Sequence, residues 1–144
     1  MGQIYSVSKD SAALSASDDF LTITAPAGRS LKIHEISVTG MGTVSAANEI
    51  KVARSSSGTT PTAVTPAPLN PNAPSASFTA ASAWSTPPTL GAVLLRLGVN
   101  ANGGAYRWVA KQGCEIEIPG GGQVSIRGAG TTSTMTMHAL IEEI

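Results

Sequence analysis

The sequence predicts an all-β fold: an antiparallel β-sandwich, a jelly-roll of about eight strands. Three observations predict it. The stretch Cys114 to Arg127, CEIEIPGGGQVSIR, holds two runs of apolar/polar alternation on either side of a Pro-Gly-Gly-Gly cluster. A period of two means an extended strand with one greasy and one wet face, and a Pro-Gly cluster between two such runs predicts a hairpin loop. Comparable runs recur along the chain with turn signals between them, spaced as in sandwiches, and no stretch makes a convincing helix.

Taken in order, Ile4 to Val7 reads as a short first strand, or as a segment that docks on a neighbour. Lys9 to Asp19 is small and polar and reads as loop. Phe20–Thr24 alternates Leu21 and Ile23 against Thr22 and Thr24, and Pro26-Ala-Gly28 turns the chain. Leu31–Thr39 is a strand with a fault: Leu31 and Ile33 share one parity, Ile36 and Val38 the other. One extra residue near His34–Glu35 resets the alternation, so a β-bulge is expected there. Gly40-Met-Gly42 interrupts, and Ile50–Arg54 resumes with Ile50 and Val52 inward.

From Ser55 to Pro88 the character changes. This stretch holds most of the nine prolines, few charges and almost no apolar periodicity. Proline lacks the ladder N–H and pushes the preceding residue toward extended geometry. Residues 56–90 are therefore expected to be a long, ordered, extended Pro/Thr/Ala-rich arm, pinned by its large apolar groups Leu69, Phe78 and Trp84. Pro66, Leu69, Pro71, Pro74, Phe78 and Trp84 are its candidate partner-binding residues.

Beyond the arm, Val93, Leu95, Leu97 and Val99 line one face of a strand, with Leu94 and Arg96 on the other. Asn100 to Gly104 is a turn cluster. Ala105–Lys111 carries Tyr106, Trp108 and Ala110 on one side and Arg107, Val109 and Lys111 on the other. The Cys114–Arg127 hairpin follows, then a Gly128–Ser133 loop. Met135, Met137, Ala139 and Ile141 make the inward row of a last strand, Thr134 to Glu142.

At 144 residues the chain fits one domain, 1–144, with enough length for an ordinary core. Only 12% of residues are charged, and nine acidic side chains balance nine basic ones. That balance argues against nucleic-acid binding, which needs clustered Lys and Arg. It also removes the repulsion that keeps copies apart, so it favours association with other proteins. No run of 18 apolar residues exists, so no membrane-spanning helix is expected. The single cysteine, Cys114, cannot form an intrachain disulfide. Its place in an alternating row predicts a small buried hydrophobe.

Chemistry is sparse. His34 and His138 have no Cys or His partner at metal-ligand spacing. Glu115 and Glu117 share one strand face roughly 7 Å apart, a spacing that glycosidase carboxylates also use. The aromatic platforms of a sugar cleft are scarce here, so a solvated pair is the better reading. The glycine clusters Pro119–Gly122 and Gly128-Ala-Gly130 precede neither a helix nor a Lys-Ser/Thr, so they make no phosphate cradle. Asp18-Asp19 lacks the partners a calcium site needs. The expectation is a protein that is no enzyme and carries no cofactor.

Four features together resemble the small jelly-roll decoration (cement) proteins of tailed bacteriophage capsids. They are the early strand ending in Pro26-Ala-Gly28-Arg29 before SLKIHEISVTG, the arm TTPTAVTPAPLNPNAPSASFTAAS, the Arg107-Trp108-Val109 strand leading into the Pro-Gly-Gly-Gly loop, and the close on Ile141-Glu142-Glu143-Ile144. The resemblance implies a homotrimer on the outer surface of an icosahedral head, in the virion, bridging neighbouring copies of the major capsid protein. The alternative is a glycan- or receptor-binding jelly-roll of a phage tail or head fibre, with Trp84, Tyr106 or Trp108 as the sugar platform.

Overall fold

Each alternating run becomes a strand in the computed structural model, which describes residues 2–129 and 133–144. In chain order the strands are β1 (Gln3–Ala13), β2 (Asp19–Thr24), β3 (Leu31–Met41), β4 (Ala47–Ser56), β5 (Thr62–Val64), β6 (Ala67–Pro68), β7 (Thr79–Ser82), β8 (Thr89–Asn100), β9 (Asn102–Val109), β10 (Ile116–Ile118), β11 (Gln123–Gly128) and β12 (Thr134–Glu143). They build two antiparallel sheets that pack face to face as a β-sandwich. One sheet runs β10-β3-β12-β1-β6, with β9 also on β3; the other runs β5-β7-β2-β11-β4-β8. β9 and β10 share one side of β3, β10 against Leu31–Ile33 and β9 against Glu35–Met41.

The inward rows meet in one core. β12 supplies Met135, Met137, Ala139 and Ile141, β3 supplies Leu31, Ile33, Ile36 and Val38, and the facing sheet supplies Leu21, Ile23, Ile50, Val52, Val124 and Ile126. All are at most 1% exposed, and each large one contributes about 1.5–3 kcal/mol relative to staying in water. The expected fault in β3 is a bulge. Leu140 pairs with Glu35 while Ile141 pairs with Ile33, so His34 is the extra residue and both halves of the strand face inward.

Four expectations are corrected. The Cys114–Arg127 stretch is no hairpin: β10 pairs with β3 in one sheet, while β11 pairs with β2 and β4 in the other. Pro119–Gly122 therefore carries the chain across the sandwich. Gly121 sits at φ 78°, and its N–H donates to the carbonyls of Ala25 and Pro26. Ile116/Ile118 and Val124/Ile126 face the same core from opposite layers, and alternation alone cannot tell that arrangement from a hairpin.

Cys114 is exposed, because its N–H closes a turn onto Lys111 O and the strand begins only at Ile116. The expected Lys9–Asp19 loop is half strand. β1 continues through Ala13 along β12, with a bulge between Lys9 and Ala12 that absorbs the small polar residues. The fourth correction concerns the arm. The 56–90 stretch does not reach away from the body; it folds back and adds three short strands to the sheet margins, β6 on β1, β7 on β2, and β5 on β7. Of the expected Gly128–Ser133 loop, 130–132 lie outside the described residues.

Candidate interaction surfaces

The candidate arm residues fall into two groups. Phe78 is buried and packs edge-on against Tyr5, with ring centroids 5.5 Å apart. Trp84 is half-buried; its Nε1–H donates to Thr22 Oγ1 at 2.9 Å and its backbone N–H to Asp18 Oδ1 at 3.2 Å. A Cβ placed on Gly58 would come within 2.7 Å of the Trp84 ring, so that glycine lies directly against the indole. Both aromatics make contacts within their own chain, and the half-buried Trp84 keeps part of its ring in solvent. Pro66 is half-buried, whereas Leu69, Pro71 and Pro74 are exposed. Leu69, 56% exposed, donates its N–H to Ile4 O, which holds the tip beside the partly exposed Ile4 side chain. Tyr5 Oη donates to Pro74 O at 3.0 Å, and the Ser77 N–H points at the buried Glu143 carboxylate at 3.2 and 3.3 Å. Burial and the Glu143 charge push the Tyr5 phenol above its ordinary pKa.

The neck of this segment is zipped. Thr59 and Thr86 exchange backbone bonds at 3.0 and 3.3 Å, and Ser85 Oγ donates to Thr59 O at 2.9 Å. Ser57, Thr60 and Ala83 all take positive φ there, at 67°, 53° and 49°. Residues with a Cβ adopt that geometry only when their surroundings impose it. Beneath the neck lies a buried polar layer on the outer face of the β2–β11 pair. Asp19 Oδ2 accepts from Thr22 and Ser125 hydroxyls, both at 2.5 Å, and its Oδ1 accepts from Arg127 Nε at 2.8 Å. Arg127 also donates to Pro88 O at 2.9 Å. Every oxygen of this carboxylate is satisfied inside the protein, so the layer ties the returning end of the segment to the sheet.

Other polar groupings are smaller. Lys9 Nζ donates to the buried Ser82 Oγ at 2.7 Å and stands 5.7 Å over the Phe20 ring, joining the two sheets. At the β3 bulge, His34 Nε2 lies 2.7 Å from Glu142 Oε2, and the Gly2 N–H donates to Glu142 Oε1 at 2.9 Å. The Gly2 N–H, and after it His34, hold the Glu142 carboxyl below the usual range. Glu115 and Glu117 border an open groove of about 550 Å³ with Lys32, Arg54, Leu94 and Ile116. The Glu115 carboxyl is lowered by backbone N–H groups, its own and that of Gly113. Glu117 lies 3.7 Å from Lys32 Nζ. Among the described residues, no three or more His, Cys, Asp or Glu are grouped to hold a metal ion.

The two sides of the sandwich differ in how their sheet edges end. On one side the last strands are β5, of three residues, and β6, of two. Very short edge strands are a known guard against unwanted pairing. On the other side the edges are β8, of twelve residues, and β9, of eight, each paired on one flank only among the described residues. Here the side chains remain partly in water: Val93 and Leu94 on β8 are 39% and 38% exposed, and Tyr106 and Val109 on β9 are 44% and 52%. Tyr106 and Trp108 pair with the inward residues Val38 and Ile36, so they stand at the open mouth between the sheets. Sequence reasoning placed these residues on strands but missed that their strands are margins. The one available signal was Leu94, an apolar residue on the polar parity of its strand.

No family model, no curated protein and no solved structure matches this chain.

Proposed function

We propose that the protein is a structural virion component that decorates the outer surface of an icosahedral phage head, bridging major capsid subunits as a homotrimer. The observation that carries the reading is the 57–88 segment. It is rich in proline, held at its neck and along its length, and presents Leu69, Pro71 and Pro74 to solvent beside Ile4. A tip fixed before docking loses little conformational entropy when it meets a partner, so a modest apolar contact suffices for binding. The strand order supports the jelly-roll part of the reading. Leaving aside β5–β7, one sheet is β1-β12-β3 followed by β9 and β10, and the other is β2-β11-β4-β8; successive strands wrap between layers as in jelly-rolls. Zero net charge agrees with a surface that packs against other proteins.

The test is co-sedimentation with expanded, undecorated heads built from the major capsid protein of the same genome. The wild-type chain is expected to pellet with the heads in stoichiometric amounts, and Leu69→Asp, which changes an exposed side chain, to stay in the supernatant while still folded. Failure of the wild type to pellet sinks the reading. Saccharide-dependent quenching of tryptophan fluorescence would move the choice to the glycan-binding alternative, through Trp108 at the open mouth.

A further inference from the structure

We infer that the open β8–β9 edge is a seam where a second copy of this chain docks. The inference rests on the self-association part of the proposed function and gives it a place on the molecule. A free edge strand offers unpaired N–H and C=O groups, and stable monomers blunt such edges. The β5–β6 side is blunted; the β8–β9 side exposes Leu94 and Tyr106 at the mouth, with Val93 and Val109 exposed on the outer faces beside it.

The geometry also selects the occupant. Two sheet edges end on the same side, about 10 Å apart as packed sheets are. A single extended peptide covers one of them, whereas the flank of a neighbouring sandwich, presented around a three-fold axis, covers both. A twelve-residue strand runs about 40 Å. With its flanking rows this edge offers on the order of the ~800 Å² per partner that a stable interface takes. Charge permits the match, because Arg96 and Arg107 are already paired with Glu49 and Glu35 and the chain has no net charge to repel its copy.

The pairing against β4 fixes the character of the seam. Val52 opposes Leu95 while Ala53 opposes Val93, so Leu94 is an extra residue, and a second shift follows toward Leu90. These bulges break the ladder beside Val93 and Leu94, where contact is made by apolar side chains. From Leu95 to Asn100 the pairing is regular and the free flank can extend the sheet.

Light scattering on the full chain tests the seam. The wild type is expected to be an oligomer, and Leu94→Lys and Tyr106→Lys to be monomers with unchanged circular dichroism. Ala63→Lys, on the guarded side, is expected to leave the oligomer intact. A monomeric wild type, or lysine variants that keep the wild-type mass, overturns the inference. Should the lysine variants fail to fold, a spin label on Cys114 decides. That exposed thiol sits beside Gly113, which lines the groove with Leu94. A defined distance between labels on different copies supports the seam, and its absence overturns it. Head co-sedimentation of Leu69→Asp and Leu94→Lys separates the two proposals: loss with the first alone leaves the seam standing, and a change of mass belongs to the seam alone.

Discussion

Asp19 is a residue whose loss the fold should tolerate poorly. Its carboxylate is the shared acceptor for Thr22, Ser125 and Arg127, and its side chain is fully buried while that of Arg127 is 10% exposed. Removing one partner of a buried ion pair leaves the other charge uncompensated, a cost of about 3–5 kcal/mol. Asp19→Ala is therefore expected to lower the urea midpoint by that equivalent. Asp19→Asn, which keeps an acceptor for Arg127, is expected to lose less than half as much. Equal losses in the two variants would mean that the charge opposite Arg127, which both remove, carries the effect, and that the retained volume and acceptor do not. Glu142 gives a pH-dependent counterpart. Its carboxyl is held below the ordinary range by the Gly2 N–H and by His34, so its folded pKa is lower than its unfolded one. The stabilisation is complete above the unfolded value and is lost as pH falls through the depressed one. Glu142→Gln is expected to cost about 1 kcal/mol at pH 7, the charged bonds being partly exposed. That difference should shrink as pH falls below the ordinary carboxylate range and vanish once the depressed carboxyl is itself protonated in the fold. A gap that persists unchanged at low pH would assign it to packing.

At the scale of elements, what could be read from the sequence depended on whether a signal was local. The β3 bulge was legible because Leu31/Ile33 and Ile36/Val38 lie on opposite parities within one strand, and only one extra residue reconciles them. The inward row of β12 was legible for the same reason. The partner of a strand was not legible. Ile116–Ile118 and Val124–Ile126 satisfy one pattern whether they face each other in a hairpin or sit in opposite layers, and the structure takes the second course. The 57–88 segment shows a further limit. Its prolines announce extended chain, yet what seats it is a set of long-range contacts: Phe78 on Tyr5, Trp84 on Thr22, Pro88 on Arg127. None of these has a periodic trace. The Asp19 layer was invisible for the same reason, since Asp19 and Arg127 are far apart in the chain and each looks like an ordinary surface charge. The exposed edge at Val93 and Leu94 follows from which strands end the sheets, and that is decided only when the whole chain is folded.

At the scale of the whole molecule, the balance of charge predicts how the seam between copies responds to solvent. Nine acidic and nine basic side chains leave no net charge, and the cations on the two edge strands themselves, Arg96 and Arg107, are engaged within their own sheets. Raising salt therefore has neither a large repulsion to screen nor many intermolecular ion pairs to weaken. What changes with assembly is apolar surface at Val93, Leu94, Tyr106 and Val109. The dissociation constant between copies, from sedimentation equilibrium, is expected to move less than about threefold between low and high sodium chloride. Sulfate should tighten it, because excluded salts favour burial. Calorimetric dilution should show the negative heat capacity of association that marks apolar contact. A dissociation constant that rises steeply with sodium chloride would place ion pairs, and not the apolar mouth between β8 and β9, at the centre of the interface.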